Sequence, residues 1–264
     1  MLRLLALDFD GVISDSAPEA FVVALRTYAQ LRTDAGLSAL ARQFGGERAP
    51  DRDAIRACDA YAAFLEIMPL GNRAEDYAVA LSAVDARRLV PDQAAYDALR
   101  AEHDPGWLRD YHARFYRVRN ALSESDPEGW RSLMGPYPRF VALLHRVAGR
   151  AILAIATAKD RRSVHALLRA YGLEELFEDE RVLDKEAGVS KSMHLELLRR
   201  RFDCAYEEIT FLDDKVNHLD DVARLGVRCG LACWGYNGER EARLARERGY
   251  LVCHLDDVEA QLFG

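Results

Sequence analysis

Two carboxylates stand two residues apart at the end of an apolar run near the start of the chain: Leu4-Leu5-Ala6-Leu7-Asp8-Phe9-Asp10-Gly11-Val12. In a strand, residues i and i+2 share a face at a spacing of about 6.6 Å. Asp8 and Asp10 therefore project together while Phe9 turns away. Two like charges about 4 Å apart, at an effective dielectric of about 20, repel by about 4 kcal/mol. A divalent cation offsets that repulsion, and carboxylate oxygens suit Mg²⁺. The competing reading is a polar strand end whose two acids cap the following turn.

Sites in open α/β sheets form beyond the carboxyl ends of the strands, so reactive groups at other strand ends matter next. Thr157-Ala158-Lys159-Asp160 follows the apolar run 151–156. Asp213-Asp214 follows Ile209-Thr210-Phe211-Leu212. Ser190-Lys191-Ser192 opens a helix between the short strand 181–183 and the strand at 209. Carboxylates, a hydroxyl and an ammonium can thus converge at one edge of a sheet.

The elements that must hold them there are legible in the apolar pattern. Residues 151–156 form a continuous apolar run, as in a strand buried on both faces. Residues 161–171 carry Val164, Leu167, Leu168 and Tyr171 at helical spacing and stop at Gly172. A helix at 193–202, the strand 209–212, a helix through Leu219, Val222, Ala223 and Gly226, and a strand at 227–234 follow. A polar helix at 238–248 and a last strand at 250–255 complete the series. The βαβα order implies a parallel sheet with helices on both faces, the α/β class. Residues 17–134 differ. They predict helices at 17–32, 36–44, 51–67, 73–87, 91–103 and 105–120, punctuated by Pro50, Pro69, Pro91, Pro105 and Pro127. An all-helical insert the size of a domain therefore splits the α/β unit after its first strand. The expected division is 1–16 with 135–264 as the α/β core and 17–134 as the insert, with a helix at 138–148 returning the chain to the sheet.

Composition narrows the function. Half of the 264 residues are apolar, 30% are charged, and the formal net charge is −7. That balance argues against a nucleic-acid backbone as the main partner. No uncharged run approaches the ~18 residues of a membrane span, and Met1-Leu2-Arg3 leads straight into the first strand without a cleavable leader. The five cysteines, Cys58, Cys204, Cys229, Cys233 and Cys253, have irregular spacing and no Cys-x-x-Cys. Reduced thiols and a cytoplasmic location are the expectation.

The ordered set Asp8-Phe9-Asp10-Gly11-Val12, Thr157, Lys191 and Phe211-Leu212-Asp213-Asp214 resembles the haloacid dehalogenase superfamily, most of all its Mg²⁺-dependent phosphatases. The resemblance covers about 1–16 and 135–264. It implies a Rossmann-like parallel sheet core, and the helical insert matches the cap domain that the family commonly places after its first motif. It also implies roles. Asp8 is the nucleophile that forms an aspartyl-phosphate. Asp10 is general acid to the leaving alkoxide and general base for water, and an acid at that position favours phosphate chemistry over dehalogenation. Gly11, Thr157, Ala158 and Lys191 bind the phosphate, with Lys185 and Lys159 as rivals for the lysine. Mg²⁺ binds Asp8, the Asp10 carbonyl and Asp214. Asp213 stands outside the ligand set, orienting Mg²⁺ waters or Lys191. His218 stands where the family has a further acid, a departure that leaves Asn217 to serve instead. The implied activity is hydrolysis of a small phosphorylated metabolite. A phosphomutase using the same intermediate and a catalytically silent ligand-binding member are the alternatives. A phosphoryl-accepting receiver module is disfavoured by the insert and by the Asp-x-Asp.

Several residues carry plainer expectations. His112, His145 and His165 read as helix surface. Asp15 reads as the cap of the first helix of the insert. Trp234-Gly235-Tyr236-Asn237 either borders the site or is a turn with core aromatics. Gly45-Gly46-Glu47-Arg48 and Leu70-Gly71-Asn72-Arg73 read as helix connectors whose Arg48 or Arg73 could instead meet an anionic substrate.

Overall fold

The computed structural model describes residues 2–34, 36–71, 73–188 and 190–264. The chain forms two compact units, Met1–Asp15 with Gly135–Gly264 and Ser16–Met134. It enters the first through β1 (Leu4–Leu7) and β2 (Ser14–Asp15). The second unit holds α1 (Ala17–Leu31), α2 (Ser38–Gln43), α3 (Arg52–Arg56), α4 (Asp59–Ile67), α5 (Ala74–Asp85), α6 (Gln93–Ala101), α7 (Pro105–Ser125) and α8 (Pro127–Ser132). The first unit resumes with β3 (Gly135–Pro136), α9 (Pro138–Val147), β4 (Ile152–Ala156), α10 (Arg161–Ala170) and β5 (Val182–Leu183). It ends with α11 (Lys191–Arg201), β6 (Ile209–Asp213), α12 (Val216–Ala223), β7 (Arg228–Ala232), α13 (Glu239–Glu247), β8 (Leu251–Cys253) and α14 (Val258–Phe263).

The first unit is an α/β fold built on a parallel sheet of order β5-β4-β1-β6-β7-β8. Its strands lack polar alternation because both faces are covered. Leu4, Ala6, Ala154, Ile209, Phe211, Cys229 and Leu231 pack against Leu195 and Leu198 of α11, Leu219 and Val222 of α12, and Ala242 and Ala245 of α13. The alternate residues Leu5, Leu7, Leu153, Ile155 and Leu212, which point the other way, are buried as completely. Register then fixes the strand ends. Leu7 lies level with Ile155 and Leu212, so Asp8 emerges beside Asp213, and Thr157 stands one residue beyond the level of Asp8. The Asp8 N–H donates to the Leu212 carbonyl at 2.9 Å.

The helical unit departs from the sequence expectation in detail. The helix expected at 51–67 is broken, because Cys58 adopts extended angles (φ −88°, ψ 127°) and starts α4 afresh without a Gly or Pro to signal it. The helix expected to end at 120 continues to Ser125. It stops where Pro127 disfavours helical backbone at the residue before it, and Asp126 then caps α8 through Gly129 N–H at 3.0 Å. Asp15 does not cap α1. It pairs with Gly135 in the antiparallel β2–β3 ribbon, and the N-cap position falls to Ser16.

Glu19, in the first turn of α1, is buried and ties three helices together. Its Oε1 accepts from Arg119 Nε of α7 at 2.8 Å and from Trp130 Nε1 of α8 at 2.9 Å. Removing one partner of a buried ion pair costs about 3–5 kcal/mol, because the other charge stays behind. Glu19→Ala is expected to lose roughly 3 kcal/mol of stability in urea unfolding. Glu19→Gln, which keeps an acceptor, is expected to lose less; equal losses would contradict this role of the carboxylate.

Candidate active site

The strand ends bring the expected residues together in the first unit. Asp8 is buried, and its Oδ1 is held twice, by Lys191 Nζ at 2.7 Å and by the Phe9 N–H at 2.7 Å. Among the described residues no donor reaches Asp8 Oδ2. Lys191 opens α11 at the residue after its N-cap Ser190. Its ammonium also donates to the Ala156 carbonyl at 2.8 Å and lies 3.4 Å from Asp213 Oδ2. Lys185 is exposed, so of those two rivals Lys191 is the one against Asp8.

Asp213 is enclosed by donors: His218 Nδ1 at 3.0 Å, Lys191, and the Lys215 N–H at 2.9 Å. Burial alone raises its carboxyl, but His218 and Lys191 outweigh that and hold it below the ordinary range. Asp8 goes the other way. Burial raises it, Lys191 opposes, and the Asp213 charge adds to the rise. Burial and the Asp213 charge also push Asp214 well above the ordinary carboxyl range. Lys191 is raised, because Asp8 and Asp213 together outweigh its burial.

Asp214 is fixed by a turn after β7. Its Oδ2 accepts from the Tyr236 N–H at 2.8 Å, and its carbonyl from Asn237 Nδ2 at 3.0 Å. It sits between two glycines. A Cβ on Gly11, whose φ is +83°, falls 2.3 Å from Asp214 Oδ2. A Cβ on Gly235 falls 2.4 Å from both the Gly11 carbonyl and Asp214 Cβ. The turn at 234–237 therefore borders the site, the first of its two sequence readings. Gly235→Ala is expected to push the turn off Asp214 and to cut turnover by roughly tenfold or more with about 1–3 kcal/mol of strain. Kinetics beside thermal melting check this, and a wild-type rate would contradict it.

Asn217 Oδ1 is buried with no hydrogen-bond partner among the described residues. Thr157 is buried at the end of β4, and its Oγ1 accepts from the Lys159 N–H at 3.1 Å. Ala158 is exposed beside it. Asp160 caps α10 by accepting from the Ser163 N–H at 2.9 Å. Lys159 is the residue least expected in its place: its Nζ lies 2.9 and 3.1 Å from the two carboxylate oxygens of Asp10.

A family model described as haloacid dehalogenase-like hydrolase matches residues 2–226. The chain belongs to this hydrolase family. The search of curated proteins found no match. Among solved structures, the hydrolase resembles a predicted phosphoglycolate phosphatase of Haemophilus somnus, with TM-score 0.63 and 16% identity over 98% of this chain and 97% of that one. It also resembles a haloacid dehalogenase-like hydrolase of Streptococcus pneumoniae, with TM-score 0.63 and 13% identity over 98% of each chain. A predicted phosphatase of Clostridium acetobutylicum has TM-score 0.58 and 12% identity over 99% and 98%. At these identities the likeness is one of fold.

The oxygen donors suit a hard divalent cation. Asp214 Oδ1 and Asn217 Oδ1 have no donor among the described residues, and oxygen ligands fit Mg²⁺. Asp8, Asp213 and His218 also offer atoms within 4.8 Å of one another. That trio is already satisfied as an ion pair, since His218 and Lys191 occupy Asp213. Open cavities lie among the described residues of the hydrolase's helical unit. One, of about 720 Å³, is lined by Gly45, Gly46 and Glu47. Another, of about 550 Å³, is lined by Arg73, Arg100, Arg109, His103 and His112. Asn72 lies outside the described residues. No helix among the described residues is long and apolar enough to cross a membrane.

Proposed function

We propose that the protein is a Mg²⁺-dependent phosphomonoesterase that hydrolyses a small phosphorylated metabolite through an aspartyl-phosphate on Asp8. The observation that carries this reading is the asymmetry of Asp8: Oδ1 is fixed by Lys191 and Phe9, and Oδ2 is left to attack. Membership of the hydrolase family supports it, as does a fold shared with the Haemophilus somnus protein.

In the proposed cycle Asp8 Oδ2 attacks phosphorus and the bond to the leaving oxygen breaks. Asp10 gives its proton to that oxygen. Asp10 then takes a proton from the water that attacks the aspartyl-phosphate, and inorganic phosphate leaves. Lys191, the Thr157 hydroxyl and the Ala158 N–H bind the phosphoryl oxygens, whereas the Gly11 N–H, expected from the sequence to join them, already donates to the Ser14 carbonyl at 2.8 Å. Gly11 lets the backbone turn close to those oxygens. Mg²⁺ would be held by Asp8, Asp214 and the Asp10 carbonyl, and it supplies neutralisation of the phosphoryl charge. Asp213 holds Lys191, and Asn217, whose buried Oδ1 has no partner among the described residues, would accept from a metal-bound water. Substrate selection belongs to the helical unit, read here as a cap domain. The five free thiols fit a cytoplasmic location.

Hydrolysis of a panel of phosphate monoesters, 2-phosphoglycolate and p-nitrophenyl phosphate included, tests the proposal with and without Mg²⁺. Mg²⁺-dependent phosphate release is the expected result. No turnover of any ester, or full activity in EDTA, would overturn it.

A further inference from the structure

Lys159 has no part in the chemistry assigned above, yet it is the better buried member of a tight pair. Its side chain is 3% exposed, against 33% for Asp10. Its backbone is pinned on both sides: the N–H donates to Thr157 Oγ1 at 3.1 Å, and the carbonyl accepts from the Lys185 N–H at 3.3 Å. Asp10 lies on the turn that reverses at Gly11, where φ is +83° and the Gly11 N–H donates to the Ser14 carbonyl at 2.8 Å. A buried ammonium is costly unless paired, so this lysine is held on its carboxylate rather than free to wander. The lysine thus presents its ammonium to Asp10 from a fixed backbone.

We propose that Lys159 is a positioning residue for Asp10, holding one carboxylate oxygen so that the other faces the leaving group beside Asp8. The inference rests on the phosphomonoesterase reading. The two distances, 2.9 and 3.1 Å, put both oxygens within reach of the ammonium. A proton carried on one oxygen leaves the other to Lys159. As the Asp8–phosphorus bond forms and the phosphorus–oxygen bond to the leaving group breaks, that proton passes from Asp10 to the departing oxygen. Lys159 takes no part in that transfer. This role differs from phosphate binding, which would act on every ester alike.

The test compares phenyl phosphate with p-nitrophenyl phosphate, which are alike in shape but differ in leaving-group basicity. Only the more basic phenolate depends strongly on a proton donor. The value of kcat/KM covers the steps through release of the phenol, and so isolates the acid role of Asp10. Lys159→Met is expected to lose about tenfold or more on phenyl phosphate beyond any loss on p-nitrophenyl phosphate. Asp10→Asn is expected to show the same bias. The double variant should be no slower on phenyl phosphate than Asp10→Asn alone, and Lys159→Arg should recover most of the rate. Residual p-nitrophenyl phosphatase activity reports that each variant is folded. Equal losses on both esters, a multiplicative double variant, or wild-type rates in Lys159→Met would overturn the proposal while leaving the phosphatase reading intact. A wild type that hydrolyses neither ester, or an Asp8→Asn variant as active as wild type, would overturn both.

Discussion

Asp8→Asn is expected to lower kcat/KM for every phosphate ester by ~10⁴-fold or more while leaving the fold in place. The amide keeps the shape of the side chain but removes the nucleophilic oxygen. Stability should not suffer in proportion. Burial holds the Asp8 carboxyl above its ordinary range. A carboxyl raised in this way favours the fold in its protonated form, and that contribution is lost as pH rises through the folded value. At neutral pH the charge therefore opposes folding, and a neutral amide removes the opposition. Lys191 keeps Asp213 as a partner. Steady-state kinetics beside thermal melting check both halves. An inactive variant that melts like wild type assigns the loss to chemistry, and an active one contradicts the assignment.

Lys191→Met is expected to damage stability and rate together, which separates it from Asp8→Asn. The ammonium is the shared partner of Asp8 at 2.7 Å and Asp213 at 3.4 Å. Without it, two buried carboxylates face each other with the His218 ring and the N–H groups of Lys215 and Phe9 as their remaining partners. Breaking a buried pair from one side costs about 3–5 kcal/mol, and losing one preorganised donor to a developing charge costs about 10²–10³ in rate. Urea unfolding and kcat/KM measure the two effects. Lys185→Ala, at an exposed position, is expected to stay within about twofold of wild type. If Lys185→Ala were the slower variant, the lysine would be misassigned.

The sheet and its family were legible because parallel strands buried on both faces appear as unbroken apolar runs, and because Asp8 and Asp213 follow such runs directly. Strand register then does what sequence spacing cannot: it brings Asp213 level with Asp8 across more than two hundred residues. Other features had weaker signals. Lys159 was one of several lysines until the pairing of β4 with β1 brought it to Asp10. The Tyr236 N–H that holds Asp214 is a backbone donor, which no residue type announces. Gly235 is required by the closeness of Gly11 and Asp214, a tertiary fact. His218 looked like a gap in the metal site, but it instead compensates Asp213. The β2–β3 ribbon is too short for a period of two to show, and the break at Cys58 has no Gly or Pro to mark it.

The central claim is that Asp8 carries the phosphoryl group between substrate and water. Asp10→Asn keeps the nucleophile but slows the attack of water, so with p-nitrophenyl phosphate and Mg²⁺ the covalent intermediate should accumulate. Acid quenching followed by peptide mass spectrometry is the direct measurement. The account predicts a hydroxylamine-sensitive phosphoryl group on the peptide containing Asp8 and none in the Asp8→Asn/Asp10→Asn double variant. An unlabelled Asp10→Asn enzyme that still releases p-nitrophenol, or a label on any other residue, would contradict it.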